Sequence, residues 1–219
     1  MKSLGIEIAI PNLRERLANN PGVFEKAKSI QSLYQGQRGL MVVDVISSRM
    51  RNYEHRVSAM LRIYKEETPD LSLKHLATNS PPDLGLMKGE ADTMMAVSQA
   101  LLDYGKEAGI SSEDEICFSW ASKAEDADVA DRIDRIPGIG PALLQYLRLL
   151  SGVDTIKPDI WVRREMAKAG IAVELLSDAG IVEVAKELAK ELDVSLAVLD
   201  QLLWVYPDPN ESFYNGYLT

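Results

Sequence analysis

The residues best suited to chemistry in this 219-residue chain lie between Ile136 and Asp159. A Pro-Gly-Ile-Gly turn, residues 137–140, separates two helical patterns. Glycines such as Gly138 and Gly140 adopt backbone dihedrals that side chains disfavour and let a backbone approach a phosphate oxygen closely. The helix after the turn adds unsatisfied N–H donors and a partial positive charge, which favour a bound anion. The turn therefore predicts a phosphate contact made by Pro137, Gly138, Ile139 and Gly140.

Asp159 follows this turn by about twenty residues. It comes after Pro158 and before Ile-Trp-Val-Arg-Arg, which makes it a natural N-cap of a helix. A carboxylate held at a helix N-terminus can also stabilise a developing positive charge or orient a water molecule. The two roles are compatible. The turn has an ordinary interpretation too, as a glycine-capped link between helices, and its residues alone leave both interpretations open.

The elements that must position these residues are helices. Helix-period apolar patterns and helix start signals recur along the chain, and no sustained β-alternation or repeat interrupts them. The first expected helix begins at Pro11-Asn12 and runs to about Ala18. The others are expected over 23–34, 40–65 with a break near 47–48, 71–77, 91–107, 113–123, 126–135, 141–150, 159 onward, 181–192 and 195–204. The predicted fold class is all-α, and Tyr206 to Tyr217 is predicted to be an irregular tail.

Charge does not favour indiscriminate nucleic-acid binding, because the net charge is −9 and a polyanion is usually met by a positive surface. The charge is uneven, however. Residues 132–168 contain seven Lys/Arg against four acids, a net charge of +3. Residues 44–65 contain five Lys/Arg and His55 against two acids. These two basic windows permit a local DNA-binding face.

The remaining composition narrows the class of protein. Cys117 is the single cysteine, which excludes an internal disulfide and an iron–sulfur cluster held by four cysteines of this chain. No apolar run is long enough for a transmembrane helix, and the first residues do not resemble a signal peptide. We expect a cytoplasmic protein without a membrane partner, associated with the nucleoid if the source is prokaryotic.

Ile136-Pro-Gly-Ile-Gly-Pro-Ala142, the helix to Leu150 and Lys157-Pro-Asp-Ile-Trp-Val-Arg-Arg164 closely resemble the helix-hairpin-helix–Gly/Pro–Asp superfamily of DNA glycosylases, in its endonuclease III-like branch. The strong resemblance covers 126–168, about a fifth of the chain. It implies two helical lobes with a DNA cleft between them. Residues 36–154 would form a six-helix barrel lobe with the hairpin, and 1–35 plus 155–219 would form the other lobe.

The resemblance also implies an activity. Asp159 matches the family's key carboxylate, which faces a nucleotide flipped out of the duplex and assists cleavage of the N-glycosidic bond. The implied partner is double-stranded DNA with a damaged or mismatched base, and we expect a monomer. Arg163 and Arg164 follow Asp159 and are candidates for phosphate contacts. Arg49, Arg51 and Asn52 lie where the family's wedge and phosphate contacts arise, with Met50 as a candidate wedge. Solvated helix-face arginines and a core methionine are the alternatives.

The sequence departs from the family at two points. Strand-cutting members carry a lysine two residues after the second hairpin glycine, and here that residue is Ala142, which has no amine. A glycosylase of this kind is therefore expected to be monofunctional. The branch's iron–sulfur loop is also absent, so no cofactor is implied. A monovalent cation at the backbone carbonyls of Asp134, Ile136 and Ile139 stays open. The alternatives are a non-catalytic helix-hairpin-helix DNA-binding protein and a helical protein that does not bind DNA.

Overall fold

The computed structural model describes residues 5–204, and these residues form helices and no strand, so the predicted all-α class is confirmed. Twelve α-helices follow one another in the described part. Their bounds are α1 Ile6–Asn19, α2 Val23–Ser32, α3 Arg38–Ser47, α4 Ser58–Glu67, α5 Leu73–Thr78, α6 Glu90–Ala108, α7 Glu113–Lys123, α8 Ala127–Asp134, α9 Pro141–Leu150, α10 Ile160–Ala169, α11 Asp178–Leu192 and α12 Leu196–Trp204. A π-helical turn, Tyr53–Val57, precedes α4, and a 3-10 turn, Val173–Leu175, precedes α11. The predicted tail after Trp204 lies outside the described residues.

The described residues divide into two compact units. One unit combines residues 5–31 with 154–204, and the other covers 32–153. The lobe boundaries predicted from the resemblance fell at 35/36 and 154/155. The hairpin belongs to the second of these units, and Asp159 belongs to the first.

Helix α3 is the centre of unit 32–153, because all ten of its residues are buried. A helix that is buried around its whole circumference is packed on every side. Gly39, in its first turn, donates its N–H to the Leu71 carbonyl at 2.8 Å. A Cβ on Gly39 would lie 2.4 Å from the Ser72 carbonyl oxygen, so only glycine allows this close approach of two backbones.

Asp44 is the buried acid of α3, and it organises the helices around it. Its Oδ2 accepts hydrogen bonds from the hydroxyls of Tyr34 at 2.7 Å, Tyr53 at 2.8 Å and Tyr146 at 3.1 Å. These three donors come from separate parts of the chain. Hydrogen bonds that converge on one buried oxygen tie these parts of the chain to α3. The contact with Tyr53 fixes the start of the π-helical turn and so the end of the loop that follows α3.

In the unit of 5–31 and 154–204, helix α1 packs on α10 and α11, and α12 packs on α10 and α11. Arg16 of α1 pairs with the buried Glu165 of α10 at 3.1 Å and donates to the Leu202 carbonyl of α12. The start predicted for α1 at Pro11 is wrong, since the helix begins at Ile6 and Pro11 lies inside it. Burial of Ala9 and Leu13 on one face outweighs the single N–H that the proline lacks.

Candidate functional site

The predicted hairpin links α8 to α9 as an exposed turn. The Ile136 N–H bonds to the Ile133 carbonyl at 2.9 Å, and the Ile139 N–H bonds to the Ile136 carbonyl at 3.0 Å. Gly138 has φ +97, a left-handed conformation that glycine adopts without strain. Pro137 and Gly138 are exposed, and Ile139 and Gly140 are half-buried. The turn is therefore open to a ligand.

Gly140 differs from the expectation for the turn. Its φ is −127 and its ψ is 173, an extended backbone that any residue adopts. Only Gly138 therefore needs glycine for its dihedrals. No atom within 4 Å would meet a Cβ on Gly140, so that position faces open space.

Two side chains from elsewhere in unit 32–153 meet the hairpin. Thr93 of α6 donates its hydroxyl to the Pro137 carbonyl at 2.8 Å, which fixes the turn against α6. The Arg49 Nη1 atom lies 3.4 Å from the place of a Cβ on Gly138. Arg49 is exposed, so its guanidinium adds a positive charge beside the turn. The structure thus brings together the hairpin and one of the predicted DNA contacts, and it adds Thr93, which no local motif indicated.

Met50, next to Arg49, is the most exposed large apolar residue described, with 92% of its surface accessible. Its φ is +52, which is uncommon for a residue with a side chain and marks a strained position. The alternative of a core methionine is therefore wrong for Met50. An exposed apolar side chain on a fixed loop suits insertion into a partner.

Arg51 has an internal partner instead of an exposed guanidinium. It forms a bidentate ion pair with Glu90 at 2.9 and 2.7 Å and also donates to the Ser47 carbonyl. Its side chain is 8% exposed and that of Glu90 is 2% exposed. This burial does not fit the predicted phosphate contact, because the guanidinium is already neutralised and desolvated. The pair fastens the loop of Met50 to the start of α6.

Asn52 also has a local structural role. Its side-chain oxygen accepts the His55 N–H at 3.0 Å and caps the π-helical turn. Asn52 is exposed as well, and its DNA contact stays a prediction. The three predicted contacts of this loop therefore separate into an exposed arginine, a buried ion pair and a cap.

Asp159 is the N-cap of α10, as its sequence position predicted. Its Oδ1 accepts the backbone N–H groups of Trp161 at 2.9 Å and Val162 at 3.1 Å. Its Oδ2 lies 3.4 Å from the Lys157 Nζ, and 15% of the side chain is exposed. Capping occupies one carboxylate oxygen of Asp159, and the second oxygen faces the Lys157 ammonium group. An N-cap and a working carboxylate are compatible in this geometry.

Lys157 and Asp200 complete a group around Asp159 that the sequence did not reveal. The Lys157 backbone N–H bonds to Asp200 Oδ1 at 3.0 Å, while its side chain reaches Asp159. Asp200 lies in α12, and its Oδ2 accepts a bond from the Gln201 amide at 3.1 Å. Burial, reinforced by the charge of Asp159, raises the pKa of Asp200 from an ordinary 3.8 to about 7. The available signal was an acid in an otherwise uncharged and mostly apolar helix, Leu196–Trp204.

The two arginines that follow Asp159 have different surroundings. Arg163 is paired with Asp178 at 2.6 Å and donates to the Leu176 carbonyl at 3.0 Å. Its guanidinium links α10 to the start of α11, which does not fit the predicted DNA contact. Arg164 is exposed and lies over the Trp161 ring, 5.3 Å from the ring centroid. Arg164 therefore stays a candidate for a phosphate contact beside Asp159.

The positive window at 132–168 is largely neutralised by tertiary contacts. Six of its seven cations pair with carboxylates: Arg132 with Glu107, Arg135 with Asp131, Arg148 with Glu125, Lys157 with Asp159, Arg163 with Asp178 and Lys168 with Glu165. Four of the partners, Glu107, Asp131, Glu125 and Asp178, come from outside the window. Counting charges along the sequence therefore overstated the positive surface, and the exposed candidates are Arg49 and Arg164.

The monovalent cation at the hairpin carbonyls of Asp134, Ile136 and Ile139 stays a prediction. The Ile136 carbonyl accepts the Ile139 N–H, and a carbonyl oxygen has room for a second partner. Among residues 5–204, no group of three or more His, Cys, Asp or Glu side chains is arranged to hold a metal ion. Within the same residues, no helix has the length and apolar character needed to cross a bilayer.

Fold and site together define an all-α protein with an exposed glycine hairpin in one unit and a buried ionic carboxylate group in the other. A family model described as a domain of unknown function, DUF8548, matches residues 85–208. This match covers more than half of the chain, and the protein belongs to this family. The matched residues include the hairpin, Lys157, Asp159 and Asp200, but not Arg49 or Met50. Searches of curated proteins and of solved structures found no match.

Proposed function

We propose that this protein is a monofunctional DNA N-glycosylase of base excision repair. Its substrate would be double-stranded DNA with a damaged or mismatched base, and Asp159 would be the working carboxylate. The observation that carries the proposal is the setting of Asp159. One oxygen is fixed by two backbone N–H groups and the other faces Lys157, in a largely buried position. Such a carboxylate is preorganised for a cation that develops beside it.

The chemistry requires this carboxylate because the sugar gains oxocarbenium character as the base departs. A negative charge that is already oriented stabilises this cation without reorganisation, and it can orient the attacking water. The base must first leave the duplex stack, because the glycosidic bond is shielded there. Met50, exposed on a loop that is anchored by Arg51 and Glu90, is suited to fill the space left in the stack.

The hairpin supplies the expected grip on the DNA backbone. Gly138 holds the turn open in a left-handed conformation, and the exposed Arg49 lies beside it. Backbone N–H groups and an arginine recognise phosphate without reading the base sequence. A two-lobed arrangement like that of the glycosylase superfamily is part of the proposal, and the division into two compact units supports it. We expect a monomer that acts in the cytoplasm or on the nucleoid.

The test is release of a free base from a panel of duplexes that carry uracil, oxidised bases, alkylated purines or mismatches. Mass spectrometry of the released base and alkaline cleavage of the abasic site measure the reaction. We expect release from at least one duplex, slowed about 100-fold to 1000-fold in Asp159→Asn, the range for loss of one preorganised electrostatic group. Asparagine still caps the helix, so this change isolates the charge. No release from any duplex, or full activity of the variant, would contradict the proposal.

Asp154→Asn is the matched control, because Asp154 also accepts a backbone N–H, that of Ala197 at 2.9 Å, and is exposed. It should retain activity. The second candidate function is a non-catalytic DNA-binding protein, favoured by the complete use of Asp159 Oδ1 as a cap. Salt-dependent duplex binding without release of any base would support that candidate.

The absence of an amine at Ala142 predicts that borohydride traps no covalent complex with DNA. The Lys157 amine lies 3.4 Å from Asp159, so Lys157 is the residue to substitute in this test. Arginine at this position keeps the charge but cannot form a Schiff base. An adduct formed by the wild type and lost in Lys157→Arg would contradict the monofunctional assignment.

A further inference from the structure

We propose that Asp200 is a positioning residue for Asp159, and that Lys157 joins the two carboxylates into one ionic group. The proposal rests on the proposed function for its activity measurements, but the coupling of the three residues can be measured without any activity. Asp200 is 2% exposed, so its carboxylate acts on Asp159 through the protein and not by touching a substrate.

One residue makes both contacts. The Lys157 N–H donates to Asp200 Oδ1 at 3.0 Å, and the Lys157 Nζ lies 3.4 Å from Asp159 Oδ2. Between them, the Asp159 N–H donates to the Lys157 carbonyl at 2.8 Å, which closes a tight turn at Pro158. Asp200 therefore fixes the backbone that carries both Lys157 and Asp159. A carboxylate fixed in this way is preorganised for its task.

A second bond of the same kind strengthens the arrangement. Asp154 Oδ1 accepts the Ala197 N–H at 2.9 Å, so each of the two segments supplies one carboxylate to the other's backbone. Asp154 is exposed and Asp200 is buried. The two acids thus share a structural role but differ in environment, which makes Asp154 the natural control for Asp200.

Within residues 5–204, the charged groups around Asp200 come from the segment before α10 and from α10 itself. The segment before α10 supplies Lys157 and Asp159, and α10 supplies Glu165, which is paired with Arg16 of α1 and with Lys168. None of the charged side chains of α11 is buried. Burial is the largest cause of the raised pKa of Asp200, the Asp159 charge raises it further, and the Lys157 backbone bond and charge lower it. Asp200 therefore changes charge near neutral pH.

This change of charge gives the site two states. When Asp200 is protonated, the charges of Lys157 and Asp159 cancel. When Asp200 is ionised, the group carries one net negative charge. An added negative charge favours a developing sugar cation, so base release should rise with pH through about 7, the pKa of Asp200. We expect a rise of about threefold to tenfold, the effect of one partly screened charge several ångströms away.

The first arm of the test is carbon-13 NMR titration of the aspartate carboxyl groups. Asp159→Asn should lower the pKa of Asp200, because a neighbouring negative charge is removed. Lys157→Met should raise it, because a positive charge is removed. Asp154→Asn should leave it unchanged. If neither Asp159→Asn nor Lys157→Met moves the titration of Asp200, the three residues are not coupled and the proposal is overturned.

The second arm is the pH profile of single-turnover base release. In Asp200→Asn the rise through neutral pH should disappear, and the rate should stay at the low-pH level of the wild type. An unchanged pH profile in this variant would overturn the proposal even with an active enzyme. If no duplex is a substrate, the proposed function fails, while the NMR arm still decides whether Asp200 and Asp159 form one group.

Discussion

The hairpin region and the carboxylate region of this protein are built in opposite ways. The hairpin, residues 136–141, is exposed or half-buried. Its backbone bonds at Ile136 and Ile139 join residues three apart, and one side-chain bond, from Thr93 to the Pro137 carbonyl, holds it against α6. The carboxylate group is largely buried, and its bond between Lys157 and Asp200 joins residues 43 apart. An exposed turn offers backbone N–H groups and needs few partners from the rest of the chain. A buried charge needs partners brought together by the fold, because an unpaired one costs several kcal/mol.

The same contrast separates two neighbouring arginines. Arg49 is exposed beside the hairpin, and Arg51 is buried against Glu90. They belong to one basic window, and a count of charges treats them alike. The structure places Arg49 on the exposed surface and Arg51 in the interior. Residue type therefore indicates a function only after burial is known.

The largest effect that we expect in this comparison is from Arg51→Met. Removing one partner of a buried ion pair leaves Glu90 uncompensated, which should reduce the free energy of unfolding by about 3–5 kcal/mol. Denaturation in urea, followed by circular dichroism, measures this change. A loss below about 1 kcal/mol would place Arg51 with the weak surface pairs.

Arg49→Met is the matched variant from the same loop. We expect a change in stability within about 0.5 kcal/mol, as is usual for an exposed side chain. Duplex binding should weaken, and the slope of log affinity against log salt should fall by about 1, the value for one lost phosphate contact. Affinity and salt slope equal to those of the wild type would remove Arg49 from the DNA-binding surface.

An intermediate effect on stability is expected at the hairpin, where Gly138 and Gly140 differ in backbone conformation. Gly138→Ala forces a side chain into a left-handed conformation at a cost of about 1–2 kcal/mol. Its Cβ would also lie 3.1 Å from Thr93 Oγ1. Gly140→Ala meets no atom within 4 Å at φ −127, and it should leave the stability within about 0.5 kcal/mol.

Duplex affinity should nevertheless fall several-fold in both glycine variants, since either Cβ would occupy the space that a phosphate approaches. Fluorescence anisotropy with an abasic duplex measures it. Gly140→Ala is the sharper test, because strain does not affect it. Wild-type affinity in that variant would show that no phosphate is held at Gly140.

The pH dependence of stability from Asp200 is a separate test of the buried carboxylate region. Because its pKa is raised from 3.8 to about 7, the folded protein keeps this proton over a range where the unfolded chain has lost it. This contribution to stability is present below about pH 4 and is lost as the pH rises to about 7. Asp200→Asn should remove that slope, so its melting temperature relative to the wild type should increase with pH. Asp154→Asn should follow the wild type, and parallel curves for all three proteins would contradict the assignment.

Much of the local structure could be predicted from the sequence. The all-α class, the break after Ser47, the bounds of α7 and α9 and the cap at Asp159 follow from apolar period and from helix start and stop residues. The start of α1 could not be predicted in this way, because Pro11 is a start signal and the burial that overrides it depends on partner helices. The need for glycine was predicted at two hairpin positions and applies to the dihedrals of Gly138 alone.

The helices, the turn at Gly138 and the carboxylate at the start of α10 follow from the sequence, because hydrogen bonds between neighbouring residues form all three. The packing of the helices settles which cations are neutralised, which arginine lies beside the hairpin and which acid holds the backbone before Asp159. These outcomes depend on contacts between residues distant along the chain, such as Arg51 with Glu90 and Lys157 with Asp200. Local sequence patterns do not encode such contacts, since the contacts form only when helices pack and exclude water.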